Sequence, residues 1–133
     1  MIALDTNILV RYFLNDDPKQ CKAAAALLSK KQDYTAPATV ILELVWVLSA
    51  NGCEREEILK ALRLLLGLPN FKPKQFEALC YAVHWYAKGM DFGDALHLAL
   101  SAGDQAFCTF DKALVKSAAK IGAIPSVQTV WAN

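Results

Sequence analysis

A short apolar segment that ends in an aspartate and leads directly into a helical pattern occurs near each end of this chain. The first is Ile2 to Leu4 followed by Asp5, and the second is Ala106 to Phe110 followed by Asp111. Apolar runs without alternation are typical of parallel strands covered on both faces, so we expect Ile2 to Leu4 to be a short buried strand. Ligands bind at the carboxyl ends of such strands. The repeated pattern therefore predicts an α/β fold in which two aspartates face one cleft.

Helices and further short strands are predicted between these two segments. Helical patterns cover 8–14, 38–50, 55–66, 74–88, 91–100 and 112–120, and a further helix is predicted from Pro18 to an end at Lys30-Lys31. Strands are predicted at 34–36 and 126–130. Thr6 or Asn7 is the expected cap of the first helix. Strands that alternate with helices favour a parallel sheet with right-handed crossovers. We therefore predict a three-layer α/β sandwich, with a short central parallel sheet flanked by helices, formed by residues 1–133 as a single domain.

Composition restricts the classes of partner. The chain has 55% apolar and 20% charged residues, and this apolar excess predicts a surface buried against a second copy, hence a homodimer. The formal net charge is only +1, which argues against a general electrostatic polyanion binder. Any contact with nucleic acid must therefore be local.

The cysteines and the N-terminal residues predict a compartment. The four cysteines Cys21, Cys53, Cys80 and Cys108 are far apart in sequence and form no metal or redox motif, which favours reduced thiols. The opening Met leads directly into the first strand, so we expect no signal peptide, and no apolar run is long enough to cross a membrane. The predicted location is the cytosol.

Glu43 is the one charged residue in the apolar helical run from Val40 to Leu48. Burial of an unpaired carboxylate is costly, so a partly buried Glu43 would need a cation, hydrogen bonds or a proton. The alternative is that Glu43 lies on a narrow solvent stripe, which Thr39 and Ala50 partly support. We favour a functional role, because Trp46 and Val47 one turn later do not make a polar face.

A second pair of acids opens the helix near residue 91. Asp91 and Asp94 lie three residues apart on one face of its first turn. Asp91 is explained equally well as a helix cap or as a functional acid. Asp94 precedes an apolar run and is more readily explained by function. His97 shares this face, but a lone histidine is more often a packing or surface residue.

Asp5 and Asp111 are each also explained as helix caps. Together with Glu43, Asp94 and Asp91, however, they would place four or five carboxylates at one sheet edge. Such a cluster is strongly repulsive unless a cation neutralises it, and hard oxygen ligands suit Mg²⁺ or Mn²⁺. The predicted site is a magnesium or manganese centre.

Four motifs in this order resemble those of the PIN domain family, most closely the VapC toxins of toxin-antitoxin pairs, over nearly the whole length. They are Leu4-Asp5-Thr6-Asn7, Glu43 in its apolar helix, Asp91-Phe92-Gly93-Asp94-Ala95-Leu96 and Thr109-Phe110-Asp111. The resemblance implies that Asp5, Glu43, Asp94 and Asp111 are the catalytic and metal-binding acids, with Asp91 an accessory ligand. It also implies that Thr6, Asn7 and Thr109 hold those carboxylates and the backbone in place.

The implied reaction is metal-dependent hydrolysis of RNA phosphodiester bonds, in which the cation activates water and stabilises charge on the phosphate. Arg11, Lys112 and Lys116 are the basic residues nearest to the motifs and are candidates for contacts with substrate phosphates, although each is also explained as part of a solvated helix face. The resemblance further implies a homodimer and inhibition by a small antitoxin protein.

Two other classes of protein are alternatives. Phosphate-handling enzymes of the haloacid dehalogenase type also carry an aspartate after the first strand, but they need a second one where this chain has Asn7. Receiver domains need a lysine near a late strand end, and they fit no better. The remaining alternative is a PIN-like module that binds RNA or protein without cutting, against which the intact set of acids argues.

Overall fold

The computed structural model describes residues 1–131, in two compact units, one of Met1–Phe76 and one that begins at Glu77. Seven helices and four strands lie within the described residues. The strands pair in parallel within each unit. The predicted fold class, α/β with helices and short parallel sheets, is confirmed.

The first unit is built around a two-stranded parallel pair. Its elements are β1 (Ile2–Ala3), α1 (Thr6–Phe13), α2 (Pro18–Leu28), β2 (Tyr34–Thr35), α3 (Ala38–Ala50) and α4 (Arg55–Leu66). Ile2 pairs with Tyr34 and Ala3 with Thr35, and the Leu4 N–H donates to the Thr35 carbonyl at 2.8 Å. The ladder therefore ends at Leu4 and places Asp5 just beyond it.

The helices of the first unit pack through fully buried aliphatic side chains. Helix α1 packs against α2 and α3, and α3 packs against α4. Leu9, Ile41, Leu44, Leu62 and Leu65 are each 0% exposed. These positions recur at helical spacing, which is why the apolar period predicted the helices correctly.

Two details of the first strand and helix differ from prediction. Leu4 is buried, but Ile2 is 50% exposed and Ala3 is also exposed, so the expectation of a wholly buried strand was wrong. Helix α1 begins at Thr6 rather than Ile8, and its cap is Asp5 rather than Thr6 or Asn7. Asp, Asn and Thr are all good caps, so three such residues in succession leave the start of the helix ambiguous.

The second unit carries the other strand pair. Its elements are α5 (Phe76–Ala87), which starts at the boundary between the units, α6 (Phe92–Leu100), β3 (Ala106–Thr109), α7 (Lys112–Ile121) and β4 (Ser126–Thr129). Strand β3 pairs with β4 from Ala106 with Ser126 to Thr109 with Thr129, and α7 packs on both strands. Asp111 thus follows the end of β3 as Asp5 follows the end of β1.

The ends of these helices follow ordinary chemical rules. Gly122 ends α7 with a φ of 81°, a left-handed conformation that glycine adopts without strain, and its N–H donates to the Ala118 carbonyl at 2.9 Å. Between α5 and α6, Gly89 has a φ of 107°. The rings of Tyr86 and Phe92 meet edge to face across this turn, with centroids 5.6 Å apart. The start of α6 is therefore anchored to α5.

Within residues 1–131 no helix combines the length and the apolar character that crossing a bilayer requires.

Candidate metal centre and acidic cluster

Three of the five predicted acids are N-caps of helices. The Asp5 Oδ1 accepts from the Thr6 N–H at 2.7 Å, and the Asp111 Oδ1 accepts from the Leu114 N–H at 3.1 Å. The Asp91 Oδ2 accepts from the Asp94 N–H, also at 3.1 Å. The capping interpretation of these aspartates is therefore correct for all three. Capping occupies one carboxylate oxygen in each case and leaves the other available, so it does not compete with cation binding.

Asp94 lies in the first turn of α6 and is partly buried. Burial, followed by the charges of Asp91 and Asp111, raises its pKa above the ordinary value of 3.8. The charges of Asp91 and Asp111 thus act on Asp94, although Asp111 belongs to a different helix from the other two. Like charges gathered in this way favour a bound cation.

His97 opposes this repulsion. It lies one turn after Asp94 on α6, is exposed, and its charge lowers the pKa of Asp94. Sequence reasoning treated His97 as a packing or surface residue. The spacing of three residues from Asp94 was the available signal that the two side chains share a face.

The carboxylate oxygens of these acids suit a hard divalent cation, but the described side chains do not form a complete coordination shell. Carboxylate oxygens are the ligands that Mg²⁺ and Mn²⁺ prefer, and Mg²⁺ normally keeps several waters and takes only one or two protein carboxylates. No group of three or more His, Cys, Asp or Glu side chains within residues 1–131 is arranged to hold a metal ion directly. The acids of the second unit therefore fit a hydrated cation by charge and ligand type, with Asp94 at the centre of the repulsion.

Glu43 lies in the middle of α3, in the first unit, and is exposed. The expectation that it is partly buried was wrong. It belongs to a solvent stripe at helical spacing formed by Thr39, Glu43, Trp46 and Ala50. Trp46 contributes to this stripe although it is apolar, being 63% exposed. An exposed carboxylate needs no partner for stability, so the alternative that Glu43 lies on a solvent stripe is correct for its position.

The three residues predicted to hold the site in place differ in their surroundings. Thr109 accepts a hydrogen bond through Oγ1 from the Asp111 N–H at 3.0 Å, which fixes the backbone at that acid. Thr6 is buried, at 8% exposure, and its N–H donates to Asp5. Asn7 is exposed in the first turn of α1.

The predicted phosphate contacts are unequally available. Arg11 forms an ion pair with Asp16, and the hydrogen bond from its guanidinium lowers the pKa of Asp16. Contact between Arg11 and a phosphate would have to replace that pairing. Lys112 and Lys116 are exposed on α7. Lys116 lines a cavity of about 470 Å³ together with Lys88 and Lys120, two residues that sequence reasoning did not single out.

Parallel strand pairs, helices capped by aspartates and three acids of the second unit, in which Asp94 is under repulsion from Asp91 and Asp111, define an α/β protein with a candidate acidic site. Comparison with known families gives the particular class. The chain belongs to the PIN domain family, whose model matches residues 2–120. PIN domains are generally nucleases and typically use divalent metal ions. No curated protein and no solved structure gives a significant match.

Proposed function

We propose that this PIN domain is an endoribonuclease that depends on Mg²⁺ or Mn²⁺, and that it is the toxin of a VapBC-type toxin-antitoxin pair. The observation that carries the enzymatic part is the match to the PIN domain family over residues 2–120, supported by the partly buried Asp94, whose pKa is raised by burial and by the charges of Asp91 and Asp111. Helix capping accounts for the positions of Asp91 and Asp111, and a bound cation would relieve the repulsion that they exert on the partly buried Asp94.

The proposed catalytic acids are Asp5, Glu43, Asp94 and Asp111, with Asp91 as an additional metal ligand. The proposal that all five serve one site within a single domain of residues 1–133 depends on the order of the four sequence motifs. Glu43 is exposed, so its carboxylate is accessible to an ion. Within the second unit, the Oγ1 atom of Thr109 fixes the backbone at Asp111.

The proposed reaction is hydrolysis of an RNA phosphodiester bond. When bound, a divalent cation would act as a Lewis acid. It would lower the pKa of water, so that hydroxide forms more readily as the nucleophile, and it would offset charge on the scissile phosphate. Asp94, Asp91 and Asp111 would hold a hydrated cation, in part through its water molecules. Asp91 and Asp111 are oriented for this role by the backbone N–H groups that they cap, and Thr109 positions Asp111.

The proposed partners follow from charge and composition. Lys112, Lys116 and, after exchange of its pairing with Asp16, Arg11 contact phosphates of the RNA substrate. A homodimer covers part of the exposed apolar surface that the apolar excess of the sequence predicts. A small antitoxin blocks the site. The proposed compartment is the cytosol, where the four free cysteines found among the described residues would stay reduced.

The deciding experiment is cleavage of single-stranded and structured RNA by the purified protein across titrations of Mg²⁺ and Mn²⁺. We expect cleavage that requires the cation and falls by at least about 100-fold in Asp94→Asn, in line with the largest effects of losing groups around a metal. The matched control is Asp104→Asn, which removes one exposed carboxylate from the same unit and should cleave normally.

Two results would contradict the proposal. Equal cleavage by folded Asp94→Asn and wild type at every metal concentration would remove Asp94 from the site. Binding of RNA without cleavage at any concentration of either metal would favour the non-catalytic PIN-like module instead.

A further inference from the structure

A groove lined by lysines runs along α7 in the second unit. Its volume is about 470 Å³, and its walls include Lys88 and Gly89 from the connection between α5 and α6, together with Lys116, Ser117 and Lys120 from α7. None of the described residues that line it is acidic. The groove therefore presents three ammonium groups without a carboxylate among them.

The lysines of α7 follow one stripe of the helix. Lys112, Lys116 and Lys120 are spaced by four residues, and the helix sequence KALVKSAAKI contains no acid. Like charges at this spacing destabilise a helix slightly, whereas acids between them would stabilise it. In a chain whose formal net charge is only +1, this concentration of positive charge is local. The row of lysines therefore lowers the stability of the helix slightly, and an anionic partner is the best explanation for its presence.

The groove shares its helix with the acidic cluster. Asp111 caps α7, and Lys116 and Lys120 follow by five and nine residues, about 7.5 and 13.5 Å further along the helix axis. A strand whose scissile phosphate lies beside Asp111 and that runs along α7 would bring successive phosphates to these lysines. Lys88 would contact the strand from the opposite wall.

We propose that this groove binds the phosphates of the RNA strand that flank the cleaved linkage, with Lys88, Lys116 and Lys120 as the contacts. This inference rests on the proposed ribonuclease function. A phosphodiester backbone fits better than an acidic protein segment, because the lining has no aromatic side chain and only the small Ala113 and the partly exposed Ile121 as apolar contacts. Protein interfaces normally depend on a larger apolar or aromatic anchor.

The test compares two charge-matched triple variants. One is Lys88→Gln, Lys116→Gln and Lys120→Gln, and the other is Lys22→Gln, Lys30→Gln and Lys31→Gln, which removes three exposed lysines of the first unit. RNA binding is measured in chelator, in an Asp94→Asn background, over a range of salt concentrations. Cleavage is measured with a long single-stranded RNA and with a short RNA that spans little more than the cleaved linkage. Far-UV circular dichroism and thermal melts establish that both variants fold.

The groove variant should bind long RNA on the order of 10- to 100-fold more weakly at moderate salt, and its salt dependence should be less steep by about 2 in the log-log slope, at roughly 0.7 per phosphate contact. The groove variant should lose more kcat/KM on the long RNA than on the short RNA. The loss should come mainly from a higher KM for the long RNA. The control variant should match wild type. Equal losses in the two variants, or a loss independent of RNA length, would overturn the inference.

The experiment separates this inference from the proposed function. If wild type cleaves neither RNA, the ribonuclease proposal fails, and the groove is then judged by binding alone, where an unchanged affinity and salt slope would overturn it. If the groove variant keeps RNA binding but loses binding of polyglutamate, the groove belongs to an acidic protein partner and the RNA assignment is wrong.

Discussion

The Oδ2 atom of Asp91 accepts a hydrogen bond from the backbone N–H of Asp94, and the negative charge of the same Asp91 acts on the Asp94 side chain. Asp91 therefore stabilises the start of α6 and at the same time destabilises the ionised form of the next acid. These opposed effects can be separated experimentally, because an amide caps a helix nearly as well as a carboxylate but carries no charge.

Asp91→Asn should melt slightly above the wild type in chelator at neutral pH, since the cap survives and one charge that repels Asp94 is removed. Asp91→Ala should lose the cap and about 1 kcal/mol of the free energy of unfolding. If Asp91 is also a metal ligand, both variants should need more Mg²⁺ for half-maximal RNA cleavage, by roughly tenfold or more. Denaturant unfolding and metal titration measure the two effects. Unchanged metal dependence in Asp91→Asn would show that the residue is a cap only.

Asp94→Asn should slightly stabilise the protein in metal-free buffer at neutral pH. The pKa of Asp94 is raised in the folded state by burial and by Asp91 and Asp111, so the folded protein holds this proton more tightly than the unfolded chain. Stability linked to Asp94 is therefore lost as the pH rises from the ordinary value of 3.8 through the folded-state pKa. The rise in melting temperature should be about 1–2 °C, because solvent screens a partly exposed group.

The pH dependence provides the check on this prediction. Thermal melts in chelator should superimpose for wild type and Asp94→Asn at pH values where the carboxyl is protonated in both states, and should separate above that window. Added Mg²⁺ should then stabilise wild type more than the variant. A variant that is less stable than wild type at neutral pH in chelator would contradict the repulsion among the acids.

Glu43→Gln should abolish cleavage without a measurable change in stability. The side chain is exposed on the stripe of α3, so its removal leaves no buried group unpaired. The control is Glu56→Gln, which changes an exposed acid in the first turn of α4 and should retain activity. Melting curves and RNA cleavage by the three proteins decide the matter. Full activity of Glu43→Gln would show that Glu43 is an ordinary surface acid of the solvent stripe.

The protein should sediment at twice its chain mass of 14.6 kDa at micromolar concentration. The reason is the apolar excess of the sequence together with exposed aromatic side chains such as Trp46 and Phe110, which are 63% and 66% exposed. Sedimentation velocity over a concentration series is the measurement. A single monomeric species throughout would show that these rings have another role.

Local chemistry was sufficient to predict most elements of the fold. The apolar run with an Asn51-Gly52 ending gave the bounds of α3, and Asp17 followed by Pro18 gave the start of α2. The aspartates after β1 and β3 were predicted both as caps and as candidate ligands, and the hydrogen bonds confirm the capping. These features depend on neighbours within a few residues, which a sequence displays directly.

The incorrect predictions concern contacts between distant segments. The exposure of Glu43 depends on which faces of α3 are covered by α1 and α4, and composition along the helix does not reveal that. The groove lysines escaped notice because Lys88 and Lys120 are far apart in sequence and meet only where the turn after α5 lies beside α7. The sequence placed His97 on the same face as Asp94, but the usual behaviour of isolated histidines argued against assigning a role to its charge.

The capping hydrogen bonds of Asp5, Asp91 and Asp111 also bear on how such a protein evolves. A single nucleotide change converts an aspartate codon into an asparagine codon, and asparagine preserves a helix cap. The fold would therefore not resist the conversion of these acids, so selection for catalysis alone would maintain them. In homologues that are no longer under this selection, these three positions are expected to change first. Such homologues would remain stably folded but would have no catalytic activity.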